Sequence, residues 1–379
     1  MFLIENTNVI LKYFYKLLGI IQFTTDEHPS TISTVFSHIY PIPTFAYFFY
    51  ASTIYMLKND GTVSTYTSTC VEKIGGYSSL LTMLTSAVMF FKRTEQLKIC
   101  LLKLDSIQIY FAPNKPPRKK KWVCGIMLAI LSLNALFFFW HSGDLYEFGF
   151  YFIPMIMSAY DHVFLNDILT CVSCKFDTIN RCLQRQVNSV DLFTIFPLNR
   201  VEEVRSMKHN EISSTIQRIQ ELTQMHYALI NLTIRISGLF ETTTIMAMLM
   251  WFSYVIGTVY YLAILLLQKT QEMYIELLGA CIYLAFYFYW FFVMVVSFSY
   301  TQKKANETAT YVHDIWNKYA MNNEVDKRVR HLQFVSLRLL NTRIQFTAKD
   351  FFNLDWTFCH MMIAAIGTYL VILIQFNNP

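Results

Sequence analysis

Few side chains of this sequence could do chemistry, and most of those lie in stretches that hold little else that is polar. Asp161 and His162 are consecutive inside residues 148–170, a largely apolar run. Ionisable groups in such a run are expensive, so they are either paired or functional. Both fall in the half nearer a basic block, which favours a partner on a neighbouring helix over a bound ligand. Gln375 and Phe376 end the last apolar run, and one helical face of that run carries Met361, Ala365, Thr368, Ile372 and Gln375. Amide dipoles can coordinate a partly hydrated ion, and a ring of phenyl groups can close a passage by dewetting. The alternative is a Gln that merely anchors the helix among headgroups. Asp355 stands just before the same run. Repeated around an axis it would favour cations; as a single acid it would suit a helix N-terminus. Trp140, His141, Tyr151, Tyr254, Tyr261 and Tyr283, with Tyr146, Trp251, Tyr260 and Tyr274, place aromatic bodies with polar tips in the opposite half of the apolar runs. Such walls suit small organic ligands, sugars and alkaloids among them, although many belt residues look the same.

Enzyme chemistry is not expected. There is no G-x-S-x-G, no H-E-x-x-H, no G-x-x-x-x-G-K-[ST] and no acid pair at protease-like positions. The eight cysteines form no disulfide framework. Cys171-x-x-Cys174 has a metal-like spacing but no second pair, so juxtamembrane packing or palmitoylation is the better reading, and no metal or cofactor is called for. Two glycosylation sequons, Asn231-Leu-Thr233 and Asn306-Glu-Thr308, fall in or beside basic blocks and read as chance.

These residues need a membrane to position them. The chain is 54% hydrophobic, 17% aromatic and 15% charged, against about 25% charged in a soluble domain. A bilayer core needs roughly 20 apolar residues per helix, and such segments fall near 35–57, 75–91, 122–140, 148–170, 237–267, 273–300 and 356–376. The second is short and begins at Gly75-Gly76. Of 31 Lys and Arg, nine lie between Lys92 and Lys121, eight between Lys175 and Arg235, and nine between Lys303 and Lys349. Cationic residues are retained on the cytoplasmic side, so connections two, four and six are inside. Parity then puts the N-terminus in the cytoplasm and the C-terminus outside, opposite to a G-protein-coupled receptor. The expected fold is an all-α membrane protein of seven transmembrane helices with a cytoplasmic helical anchor region.

The organisation follows. Residues 1–34 form a cytoplasmic segment in which 9–23, with Lys12 and Lys16 one turn apart, suits an interfacial helix. No signal peptide is visible. Residues 35–300 carry the first six spans with cytoplasmic loops 92–121 and 171–236, 301–355 carry anchor helices, and 356–379 the last span. The outer connections 58–72, 141–147 and 268–272 are small, so a ligand must be met within the bundle. Two apolar stripes run through the cytoplasmic part at a period of 3.6. One is Val204, Ile212, Ile216, Ile219, Leu222, Met225, Leu229 and Leu232; the other is Val325, Val329, Leu332, Val335 and Leu339. An apolar face in water must pack on something. The candidates are each other, extensions of spans four to six, and neighbouring subunits.

The final stretch is the most specific. Thr368-Tyr369, five aliphatic residues and Gln375-Phe376 make TYLVILIQF, led by Phe346, Ala348, Phe351-Phe352 and Asp355. This resembles the T-Y-(five hydrophobic)-Q-F ending of insect gustatory receptors, as does Tyr13-Phe14-x-x-Leu17-Leu18-Gly19 near the start. One departure is Asp350, where that family more often has Gly, and it bears on the turn before the last span. The resemblance implies a tetrameric, tastant-gated, non-selective cation channel in the plasma membrane, with the last span of each subunit lining one pore. Gln375, Phe376, Ile372 and Thr368 would form the pore and gate, and Asp355 the inner entrance. It implies a small-molecule tastant and membrane lipid as partners, a homo- or hetero-tetramer with other gustatory receptor subunits, and no nucleic acid. The compact length leans towards the bitter-type branch. The alternatives are an odorant-receptor-type subunit requiring a co-receptor, or a seven-helix receptor signalling through a partner protein.

Overall fold

The computed structural model describes residues 41–58, 66–107, 145–195, 203–268, 273–321 and 327–377, together with Ala129 and Leu131. The expected third span, 122–140, otherwise lies outside the described residues, as do the interfacial segment 9–23, the tight turn after Gln268, Trp140 and His141. Seven helices are described: α1 Pro41–Lys58, α2 Tyr66–Ser106, α3 Leu145–Ile195, α4 Glu203–Gln268, α5 Met273–Met321, α6 Lys327–Asn341 and α7 Trp356–Asn377. Among the described residues the only β pairing is an isolated bridge, Thr347 with Asn353. Helices α2, α4, α5 and α7 are long and apolar enough to cross a membrane.

The main departure from expectation is length. α3 has 51 residues, α4 has 66 and α5 has 49. At 1.5 Å per residue these are rods of about 75 to 100 Å, against a bilayer core of about 30 Å. Most of the supposed loop 171–236 is therefore the lower end of α3 and the start of α4. The second span is likewise part of a 41-residue helix. Gly75 and Gly76 lie inside it rather than at its start, and Cys70, expected in an outer connection, is helical. A Cβ at Gly75 would meet Tyr254 of α4 at 3.7 Å, an ordinary van der Waals contact, so packing there does not demand a glycine. Gly149 is more tightly constrained: a Cβ there would lie 2.7 Å from Cβ of Ala51, so α1 can approach α3 this closely only at a glycine.

α3 packs along α5, and α2 along α4. One continuous core runs from the bundle into the cytoplasmic part, from Phe152, Trp251 and Tyr287 through Phe176 and Ile219 to Val312 and Leu332. The described parts of both amphipathic stripes point into it; Val325 lies outside the described residues, as do the side chains of Val204 and Ile212. Ile216, Ile219, Leu222, Leu229 and Leu232 are buried on α4, and Val329, Leu332 and Leu339 on α6. Each stripe is thus covered by its own chain. The face of α6 left uncovered carries Phe334 and Leu337 instead.

Lys175, below the fourth span, ties the lower end of α2 to α3. Its Nζ donates to the carbonyls of Leu104 and Ile107, each at 2.6 Å. It supplies the donor that the last carbonyls of a helix lack. Burial pushes this ammonium below the ordinary lysine range.

Candidate functional site

Two of the expected aromatic ligand contacts, Tyr254 of α4 and Tyr283 of α5, meet through a third residue that composition and spacing had not singled out. The Tyr254 ring stacks on Tyr287 at 6.2 Å and 7° between planes, and Tyr283 lies 6.4 Å from Tyr287 in a tilted contact. Trp251 is edge-on to Tyr287 and stacks on Phe291 at 4.5 Å. Phe152 of α3 closes the set at 6.1 Å from Tyr283. Polar tips are threaded through these rings. Tyr254 Oη and Ser79 Oγ of α2 share a hydrogen bond of 2.5 Å, and Tyr287 Oη donates to Met155 Sδ at 3.3 Å. The indole Nε1 of Trp251 is buried with no hydrogen-bond partner. Tyr261 stands apart from this cluster on the bundle surface, 45% exposed. Tyr151 lies in α3, but its side chain is outside the described ones. Ser79 had a legible signal, since it shares a face with Gly75 and Thr82 on one helix; Tyr287 had none that set it apart from its many aromatic neighbours.

Towards the cytoplasm lies the charged layer. Asp161 is paired as expected, and its partner is Arg93 of α2, whose Nη1 donates to Asp161 Oδ2 at 3.0 Å and whose Nη2 donates to Oδ1. The guanidinium also sits 4.5 Å over the ring of Phe240 on α4. Three helices are thereby joined at one buried bidentate pair. Arg93 entered the sequence reading only as a topology signal. His162 faces the other way, against α5. Its Nδ1 lies 2.8 Å from the carbonyl of Ser158, which fixes the proton on Nδ1, and its ring is edge-on to Trp290 at 5.3 Å. His162, Asn166, Trp290 and Ser297 line a cavity of about 10 Å³, which is room for one water and for no organic ligand.

The last helix is mounted on a short structured linker. After α6, Leu354 N–H donates to Phe346 O at 2.8 Å and Ala348 N–H to Phe352 O at 2.9 Å, a small hairpin-like turn. Lys349 and Asp350 at its tip have φ of 48° and 60°. That is the left-handed region, so the preference for Gly at position 350 has a backbone cause. Asp is among the few other residues that tolerate it, and Asp350 Oδ1 accepts from Thr347 Oγ1 at 3.1 Å. Phe346 packs on Phe298 and Phe358 on Phe291, both of α5. Asp355 Oδ1 accepts from the amides of Thr357 at 2.9 Å and Phe358 at 3.2 Å, so this acid is the N-cap of α7. Among the described side chains of α7 only Phe358 and Ile366 are buried. Thr368, Ile372 and Gln375 are all uncovered by the rest of the chain, and Phe376 follows in the same helix.

This arrangement has known counterparts. Residues 10–377 match the family described as 7tm Chemosensory receptor. A segment of 79 residues is 39% identical to putative gustatory receptor 28b of Drosophila melanogaster, and one of 42 residues is 50% identical to putative gustatory receptor 2a of the same organism. These matches span 16% and 10% of the length of those relatives, and 20% and 11% of this chain. The fold is similar to that of the insect olfactory receptor OR5 from Machilis hrabei. The structure with eugenol has a TM-score of 0.71 at 12% identity, over 97% of this chain and 99% of that one. The structure described without it has a TM-score of 0.62 at 13% identity over the same shares. With a family match along nearly its whole length and an all-helical membrane fold shared with an insect olfactory receptor, the chain belongs to the 7tm chemosensory receptor family.

Proposed function

We propose that this chain is a gustatory receptor subunit of the plasma membrane, a tastant-gated non-selective cation channel that assembles as a tetramer. The observation that carries the reading is the state of α7. An apolar helix that ends the chain leaves the face with Thr368, Ile372 and Gln375 uncovered by its own subunit, while its inner end is fixed by the Asp355 cap. A helix exposed only to lipid gains nothing from a Thr and a Gln on one face. Around a fourfold axis the same face would line a passage. Phe376 would close it by dewetting and Gln375 would coordinate the ion. Asp355 then serves first as a cap and contributes its charge near the inner mouth. The fold likeness to an insect olfactory receptor and the matches to two putative gustatory receptors support this class of protein.

The tastant site is the cluster of Tyr254, Tyr283 and Tyr287, with Trp251 beside it on the cytoplasmic side and the Ser79 hydroxyl on Tyr254. Its apolar walls and few hydroxyls fit a compact aromatic or polycyclic compound of the bitter type. The deciding experiment is heterologous expression with whole-cell recording under a panel containing caffeine, quinine, sucrose and fructose. Currents through the chain expressed alone support the reading. Currents that require a second, different subunit support the co-receptor alternative. Responses that persist only through a second messenger, with no cation conductance in excised patches, would overturn the channel.

A further inference from the structure

Asn306 of α5 makes a contact that neither the ligand cluster nor the pore helix explains. Its Nδ2 donates to the carbonyl of Ile344 at 3.2 Å, and its Oδ1 accepts from the amide of Ile344 at 3.0 Å. One carboxamide thus satisfies both backbone groups of one residue, as a strand neighbour would. Only Asn and Gln carry a donor and an acceptor so placed. Ile344 is itself buried and begins the linker between α6 and α7. Beyond it the linker is stiff: the Leu354 to Phe346 and Ala348 to Phe352 hydrogen bonds close the turn, and its last residue, Asp355, caps α7.

The same turn of α5 is held from two other sides. Asn180 of α3 donates to the carbonyl of Lys304 at 2.8 Å, and its Oδ1 accepts from Thr308 Oγ1 at 2.6 Å. His226 of α4 lies with Nε2 3.0 Å from the carbonyl of Ala305. Nε2 is therefore the protonated nitrogen, and Nδ1 is buried without a partner. Position 226 lies eleven residues below the fifth span, and burial holds this imidazole down at about 4, so the junction carries no extra charge at neutral pH. Residues 304–308 therefore join α3, α4, α5 and the linker in little more than one helical turn. The sequon Asn306-Glu-Thr308 has both its polar ends occupied by these contacts, which accounts for its residues without any glycan.

We infer that Asn306 is a positioning residue: it fixes the inner end of α7 to the cytoplasmic junction of α3, α4 and α5, so that movement of the three long helices is passed to the last one. This coupling rests on the channel reading above. The clamp itself does not.

The test uses the full chain in detergent and in inside-out patches, with Asn306→Ala, which removes both bonds, and Asn306→Asp, which keeps the shape but replaces the donor with a carboxylate. Hydrogen exchange of the segment 344–358 needs no current. Both variants should speed it by about tenfold or more at pH 7.5, the scale of one lost buried hydrogen bond. Lowering the pH protonates the introduced carboxyl and returns a donor, so protection in Asn306→Asp should recover while Asn306→Ala stays fast. In patches, both variants should shift the half-maximal concentration of whichever panel compound opens the wild type by about tenfold, or raise ligand-free opening, at unchanged single-channel conductance. The open fraction of Asn306→Asp should follow cytoplasmic pH. Unchanged exchange over 344–358, or faster exchange with an unshifted and pH-independent response, would overturn the inference. A wild type that conducts under no condition overturns the channel reading and the coupling with it, while the exchange result still decides whether Asn306 holds the linker. If Asn306→Ala does not fold, the pH dependence of the isosteric Asn306→Asp carries the same decision.

Discussion

Arg93 reaches across from α2 to hold both carboxylate oxygens of Asp161 on α3, and the pair lies against the ring of Phe240 on α4. Both side chains are almost wholly buried. Removing one partner of such a pair strands the other charge, at a cost of about 3 to 5 kcal/mol. Asp161→Leu and Arg93→Met should each lower the unfolding midpoint in detergent strongly. The paired replacement Arg93→Met with Asp161→Leu should recover most of the loss, since no uncompensated charge remains. Thermal unfolding of the four proteins completes the double-mutant cycle. Independent, additive losses would mean the two groups do not act as a pair.

Topology gives a second expected outcome. The basic bias puts the start of the chain in the cytoplasm, so an epitope before Met1 should stain only permeabilised cells, and one after Pro379 should stain intact cells. The reverse pattern would sink the channel assignment as well as the orientation.

The proposed tetramer can be tested on the exposed face of α6. Leu332 and Leu339 are buried within the chain, whereas Phe334 is 69% and Leu337 45% exposed on the opposite face of α6. Phe334→Asp with Leu337→Asp should leave a folded chain that no longer runs as a tetramer. Leu332→Asp should fail earlier, by destabilising the subunit itself. Native mass spectrometry and thermal unfolding separate the two effects, and a tetramer that survives the first pair would place the interface elsewhere.

The two proposed pore residues differ in what their removal should do. Phe376→Ala should leak without ligand, because a bulky apolar ring is lost from every subunit. Gln375→Ala should keep gating and change conductance or permeability ratios. Single-channel recording distinguishes both from simple headgroup anchoring, which predicts fewer channels of normal behaviour.

In the aromatic cluster, Tyr254→Phe deletes the hydroxyl shared with Ser79 and leaves the stack on Tyr287 intact. A tastant that uses that hydroxyl should lose roughly tenfold in potency, the scale of one hydrogen bond. Tyr261→Phe, on the bundle surface, should change nothing. Concentration-response curves for the two variants that move together would argue against this pocket.

The sequence showed the apolar segments, the cytoplasmic stripes and the need for a partner to Asp161, because period and charge are local properties. It did not show where the helices end. Between Val172 and Ile236 the basic residues mark the stretch as cytoplasmic, but they do not tell a loop from a span continued as helix into water. Nor could it show which cation meets Asp161. Arg93 was one basic residue among nine in its block, and only packing brings it to α3. Tyr287 stayed hidden for a similar reason: among 24 tyrosines the informative quantity is which rings touch. Asp355 was legible in its local role, because a helix N-terminal acid needs only its own next turn.

The unbroken course of α4 has a mechanical meaning. A rod of 66 residues is about 99 Å long at 1.5 Å per residue, with the tyrosine cluster in its upper third and His226 in its lower half. Pivoting such a lever by about 3° at the tyrosine cluster moves His226, about 42 Å further down the same helix, by about 2 Å. No hinge or loop along α4 would absorb the stroke, so a tilt that barely moves the tyrosine cluster still reaches the cytoplasmic junction, magnified by distance alone.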